Sequence, residues 1–376
     1  MTLAPLHLLR SVWQDPHALA DVSLADWDML IRQGRAADMV GQVAHACDAG
    51  FGLMKVPPQP RQHLQSAALL AARQRKELAW EVEQIRAALA AKGLPLVLLK
   101  GAAYAMSDSG AARGRLVSDV DILVRRKDLA LVESALLQRG WVSAAQGAYE
   151  QHYYRRWMHE IPPMTHVQRG TVIDVHHAIL PLSGRLHPST EKLLAGTRPS
   201  ACDPCVQVLG PLDLVLHSAA HLFHEGALDK GLRGLLDIDR LLLEIGDPAQ
   251  AWHHLVERAG ELELQRPFFY ALRYADKLLG TPVPATALRA LDAVPGARPA
   301  GVLLILMDAL FLRALRPPHA SASDRFTPLA RFLLYLRGHW LRMPPWLLTR
   351  HLTRKLFTPS KPAPLAPPPA ATGAAL

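Results

Sequence analysis

The chain has 376 residues, half of them apolar, with 42 Lys and Arg against 33 Asp and Glu for a net charge of +9. That length exceeds one typical domain, and the apolar content is enough for packed cores, which excludes a generally disordered protein. Three cysteines, an odd number in a long chain, exclude a disulfide framework and point to a reducing compartment. Sparse aromatics beside abundant Leu and Ala favour a mainly helical protein with one small sheet.

The charge is unevenly placed. From residue 309 onward there are ten Lys or Arg and a single acid, Asp324, so residues 1–308 balance at zero. A uniform basic coat for nucleic acid is therefore absent, and nucleic acid is disfavoured as a partner.

In chain order, Ser23 with Asp26 has the pattern of a helix start, and residues 24–92 read as helices interrupted at Gly50-Phe51-Gly52 and Pro57-Pro58. Residues 61–92 lack Gly and Pro and predict one long helix closed by Gly93; residues 94–99 then predict a short buried strand. A helix over 102–107, a loop over 108–115, a strand over 117–124 and a helix over 127–139 follow. Residues 161–167 and 171–179, around Gln168-Arg169-Gly170, read as a hairpin. Beyond Pro211 the pattern predicts helices over 211–226, 229–245, 249–259, 264–279, 301–315 and 328–356. This gives an N-terminal helical region (1–92), an α/β core (93–205), a C-terminal helical domain (206–357) and a disordered Pro/Ala-rich tail (358–376). The first residues lack a signal-peptide pattern, and the longest apolar run, Val302 to Met307, stops at Asp308, so a cytoplasmic protein is expected.

Three stretches carry chemistry: Leu98-Leu99-Lys100-Gly101, Ser118-Asp119-Val120-Asp121-Ile122, and Val172-Ile173-Asp174-Val175-His176. Strand side chains alternate, so Asp119 and Asp121 share one face, as do Asp174 and His176. If these strands are sheet neighbours, three carboxylates converge, and their repulsion calls for a hard divalent cation, most naturally Mg²⁺. Phosphoryl and nucleotidyl transfer use such sites. Lys100 and Arg115 are the candidates for triphosphate charge.

These residues resemble the DNA polymerase β-like nucleotidyltransferase superfamily, and more narrowly the bacterial uncharacterised nucleotidyltransferase family. The carrying motifs are Leu99-Lys100-Gly101, Arg115-Leu116-Val117-Ser118-Asp119-Val120-Asp121, His159-Glu160-Ile161-Pro162 and Ile173-Asp174-Val175-His176, with a weaker likeness through Leu216-His217, His221 and Leu235-Leu236-Asp237. The resemblance spans about residues 30–310 and implies an α+β nucleotidyltransferase core. It further implies catalytic, metal-holding Asp119, Asp121 and Asp174 with two Mg²⁺ ions. Lys100, Gly101, Arg115, Ser118, His159 and His176 would contact the nucleotide, an NTP with ATP expected. The acceptor, small molecule or protein, is left open. The pattern's Gly-Ser is here Gly101-Ala102, which removes one phosphate-contacting hydroxyl. A non-catalytic nucleotide-binding or interaction protein on the same scaffold is the alternative reading.

Blander readings accompany several of these residues. His159 and His176 also read as packed, hydrogen-bonded histidines, with His177 pointing the other way. Asp237-Ile238-Asp239 sits in a helical context, where carboxylates two apart diverge by about 200° and cannot share an ion. His217, His221 and His224 form one helical stripe, read as lining a cleft. Cys202-Asp203-Pro204-Cys205 lacks the second pair that a zinc site needs. The basic 328–356 segment, with Trp340 and Trp346, could touch an anionic membrane surface weakly; the opposing expectation is that Leu333, Leu336 and Leu341 pack on the preceding domain.

Overall fold

A computed structural model describes residues 8–143, 148–226, 228–245 and 248–344 of the chain. The expected tail (358–376) and the end of the 328–356 helix lie outside the described residues.

The N-terminal part forms helices α1 (Leu8–Gln14), α2 (Leu24–Ala36), α3 (Val40–Phe51) and α4 (Pro58–Ala90). Ser23 caps α2 as its sequence predicts, its Oγ accepting from the Asp26 N–H at 3.2 Å. Helix α4 begins at Pro58, three residues earlier than expected, because proline is tolerated in a first helical turn. It buries Leu64, Ala71, Leu78, Val82, Ile85 and Leu89, a single stripe at helical spacing.

The middle of the chain alternates strands and helices: β1 (Leu96–Leu98), α5 (Lys100–Met106), β2 (Asp119–Leu123), α6 (Leu129–Leu137), β3 (Trp141–Ser143), α7 (Ala148–Trp157), β4 (Met164–His166), β5 (Val172–His176), α8 (Thr190–Ala195), β6 (Arg198–Pro199) and β7 (Val206–Val208). These strands form one sheet in the order β3-β4-β5-β2-β1-β7-β6. The β2/β5 and β1/β7 pairs are parallel and the others antiparallel. The expected mainly helical protein with a small mixed sheet is what forms. Sequence reading missed β3, β6 and β7, which are two or three residues long and too short to show periodicity. The Cys202-Cys205 segment lies between β6 and β7, and both thiols are free and exposed.

Then follow α9 (Pro211–Ala220), continued by a π-helical turn (His221–Glu225), α10 (Gly231–Leu243), α11 (Pro248–Glu261), α12 (Gln265–Leu279), α13 (Ala285–Ala293), α14 (Gly301–Ala314) and α15 (Thr327–Arg342). One apolar cluster runs without a break from Leu8 in α1 to Leu334 in α15. None of the described helices is long and apolar enough to cross a membrane.

Several ties between these parts fix the central sheet. The backbone of Gly41 in α3 meets that of Gly114, and a Cβ on either would strike the other's carbonyl. Gln74 of α4 accepts the Val117 N–H at 2.8 Å, just ahead of β2. Buried Glu81 of α4 takes the Arg169 guanidinium in two bonds of 2.9 Å and the Thr171 hydroxyl at 2.8 Å, which pins the β4–β5 turn. The loop after α5 is held from the other side, Ser109 Oγ donating to Glu244 at 2.8 Å.

Candidate active site

Strands β2 and β5 run parallel in a register that sets Asp121 beside Asp174 and Leu123 beside His176. Alternation then puts Asp119, Asp121, Asp174 and His176 on one face, as the sequence requires. The turn from β1 into α5 arrives at the same place, because the Leu99 N–H donates to the Asp121 carbonyl at 2.9 Å. Lys100 follows with φ +46°, a left-handed conformation that costs a non-glycine residue about 1 kcal/mol.

Asp121 is 2% exposed, and its Oδ1 accepts from Lys100 Nζ at 2.7 Å and bonds His176 Nε2 at 2.9 Å. Burial alone would raise its pKa; the Lys100 charge and the His176 bond outweigh burial and hold it below the ordinary carboxylate range. Asp174 behaves oppositely. Burial, then repulsion from Asp121 and Asp119, lift it to about 7, and Lys100 offsets this only in part. Its Oδ1 is buried without a hydrogen-bond partner. Asp119 is half-buried, accepting from Ser118 Oγ at 3.0 Å.

The three aspartates therefore sense one another across adjacent strands. A second group of donors adjoins them through His176, which bonds Asp121. Among the described residues, the His, Cys, Asp and Glu donors gathered within 4.8 Å of one another are His159, Glu160 and His176. His159 lies ahead of β4, which begins at Met164. An isolated bridge pairs Glu160 with His176, and the His159 ring stacks on that of His176 at 5.1 Å. His176 thus spans two carboxylates, Nε2 on Asp121 and Nδ1 at 3.5 Å from Glu160. His177 does point elsewhere: burial, then Arg126 and His176, push it down to about 4, and it lines a separate cavity of about 220 Å³.

Arg115 is turned toward the helical part of the protein. Its Nε donates to Asp237 of α10 at 3.0 Å, with 11% of the Arg115 side chain and 6% of the Asp237 side chain exposed. A Cβ at residue 101 would run into Arg115 Nη1 and Val117 Cγ2, which is why glycine stands there. Asp237 is raised by burial, opposed by Arg115 and Arg233. Asp239 leaves in another direction and accepts from Thr281 Oγ1 at 2.6 Å, as helical spacing requires. Ala102 is fully buried in α5.

Sequence reading left His217 off the nucleotide-contact set. It is 2% exposed on α9, its Nδ1 has no hydrogen-bond partner, and its pKa is lowered by burial and then by Lys100, His221 and His176. That coupling places it near the Asp121 face. The π-helical turn at His221 interrupts the regular stripe expected from His217, His221 and His224.

The charge pattern also tests the divalent cation that nucleotidyltransferases typically use. An orphaned carboxylate oxygen on Asp174, beside two further aspartates that repel it, is a donor set a hard cation would satisfy, so these residues fit the group.

The class of the protein is that of the nucleotidyltransferases, on a family model that matches residues 23–280. More narrowly, that model is of the uncharacterised nucleotidyltransferase family; it covers more than half of the chain, and the chain belongs to this family. No curated protein and no solved structure matches it. The matched residues include every site residue described above and end before α13.

Proposed function

We propose that the chain is a Mg²⁺-dependent nucleotidyltransferase of the cytoplasm, moving a nucleoside monophosphate from an NTP, ATP first, to an acceptor hydroxyl with release of pyrophosphate. The observation that carries this is the β2/β5 register, which sets Asp121 beside Asp174 and leaves Asp174 with a raised pKa and an unsatisfied oxygen. Asp119, Asp121 and Asp174 would hold the two cations, which supply charge neutralisation for the triphosphate and the departing pyrophosphate.

The chain's own residues then act as follows. Lys100 keeps Asp121 ionised and adds positive charge at the edge where the triphosphate lies. Gly101 and Ser118 would line that edge, and Arg115, held by Asp237 behind the turn, would add its charge there. The Asp237–Arg115 pair holds the Lys100–Gly101 turn in place, and His176, with His159 stacked behind it, fixes the Asp121 carboxylate. Asp174, whose Oδ1 is left without a partner, either shares the second cation or takes the acceptor's proton. The acceptor oxygen bonds the α-phosphorus as the bond from that phosphorus to the β-bridging oxygen breaks, and pyrophosphate leaves with the electron pair.

The test is transfer of label from α-labelled NTPs to components of a cell extract. Wild-type protein is expected to label an acceptor, and Asp119→Asn/Asp121→Asn to label none while remaining folded. Retained transfer by that double variant would refute the assignment. Calorimetric NTP binding without pyrophosphate release across acceptor pools would favour a non-catalytic nucleotide-binding protein instead.

A further inference from the structure

Helix α15 is oriented against the usual rule. It buries Thr327, Ala330, Leu334 and Gly338 and turns Leu329, Phe332, Leu333, Leu336 and Trp340 outward, each 37–55% exposed. Those five positions recur at helical spacing, so they make one apolar stripe. Helix α14 packs beside α15 and adds Val302, Ile305 and Leu306, 84%, 72% and 48% exposed. Leu333 and Leu336 were expected to pack on the preceding domain. They do not, because α15 makes its contact through small residues. Gly338 lies against Gly226 at the end of the π-helical turn, and Arg337 donates to the Phe223 carbonyl at 2.8 Å. The backbones approach closely on that side, which leaves the bulky side to solvent. An exposed apolar stripe of this kind, with further exposed apolar residues on the neighbouring helix, marks a contact surface.

The surrounding charge indicates what covers it. Among the described residues 309–344 there are six Arg and one acid, and that acid, Asp324, is already paired with Arg313 and Arg316. Arg325 and Arg185 flank the stripe, stacked on Phe326 and Trp340 at 4.7 Å. A second copy would bring two such basic surfaces together and be repelled, whereas an anionic surface is attracted. Aromatic rings beside arginines also suit the headgroup boundary of a bilayer. We propose that the α14–α15 face is a peripheral docking surface for an anionic lipid bilayer, lying beyond the residues matched by the family.

The experiment is co-sedimentation of the full chain with phosphatidylcholine vesicles containing about one-third phosphatidylserine, against phosphatidylcholine alone, at low and high salt. Binding is expected to be at least ~10-fold stronger with phosphatidylserine and to fall at high salt. Phe332→Glu/Leu336→Glu alters exposed positions only, so it is expected to keep the wild-type melting curve and lose binding by ~10-fold or more. Arg185→Gln/Arg325→Gln, at the arginines that flank the stripe, is expected to weaken binding by roughly fivefold per charge. No sedimentation at low salt, indifference to phosphatidylserine, or wild-type binding by either variant would overturn the proposal. A wild-type dimer in sedimentation velocity that Phe332→Glu/Leu336→Glu converts to monomer, with no lipid binding, would assign the face to a second copy instead.

Discussion

Asp174→Asn is expected to make the metal-free protein more stable while abolishing transfer. In the native protein the Asp174 carboxyl titrates at about 7 against an ordinary value of 3.8, chiefly because of burial and then because Asp121 and Asp119 repel its charge. Below pH 3.8 the group is protonated in both folded and unfolded chains and contributes nothing. Between 3.8 and about 7 the native state keeps a proton that the unfolded chain releases, so stability falls as pH rises. Above about 7 the full cost is present. The displacement corresponds to about 4 kcal/mol, an upper limit that relaxation and solvent at a half-buried group reduce to about 2 kcal/mol. Asparagine carries no charge and escapes the cost. Urea denaturation in EDTA would therefore show the variant gaining about 1–3 kcal/mol on wild type between pH 5 and pH 8.5. A variant equally destabilised at both pH values, or a difference that does not grow with pH, would refute the electrostatic reading of the three aspartates.

Other perturbations test neighbouring parts of the site. Gly101→Ala places a methyl against Arg115 Nη1, and since Asp237 holds that guanidinium in a buried position, a loss of about 1–3 kcal/mol in chemical denaturation is expected, with reduced transfer. Arg115→Ala strands a buried Asp237 and should cost about 3–5 kcal/mol, whereas Arg115→Met/Asp237→Leu should recover most of that stability without restoring activity; thermal melts and labelled-NTP transfer would check both. Glu81→Ala removes the acceptor of the Arg169 and Thr171 bonds and should lower the melting temperature by several degrees, as about 2 kcal/mol would, with the β4–β5 turn losing hydrogen-exchange protection first.

Much of the fold and the candidate site was legible because it depends on short-range rules. Alternation along a strand decides that Asp119 and Asp121 share a face, and a helical stripe free of Gly and Pro decides that α4 is long. The Lys100-Gly101 turn, the Asp-x-Asp strand and the Asp174 strand appear in chain order, so their chemistry could be proposed from residue type and spacing. Sequence alone could not decide that β5 adds parallel to β2 with Asp121 beside Asp174, since strand neighbours are chosen by how helices and loops pack across the whole sheet. Nor could it pair Arg115 with Asp237, 122 residues away, or put His217 near the same face. Those contacts exist because one hydrophobic core brings the sheet and the later helices together. The outward stripe on α15 has the same origin: its apolar spacing is visible in the sequence, but which side faces the protein is settled by Gly338 meeting Gly226, where only backbones can approach so closely.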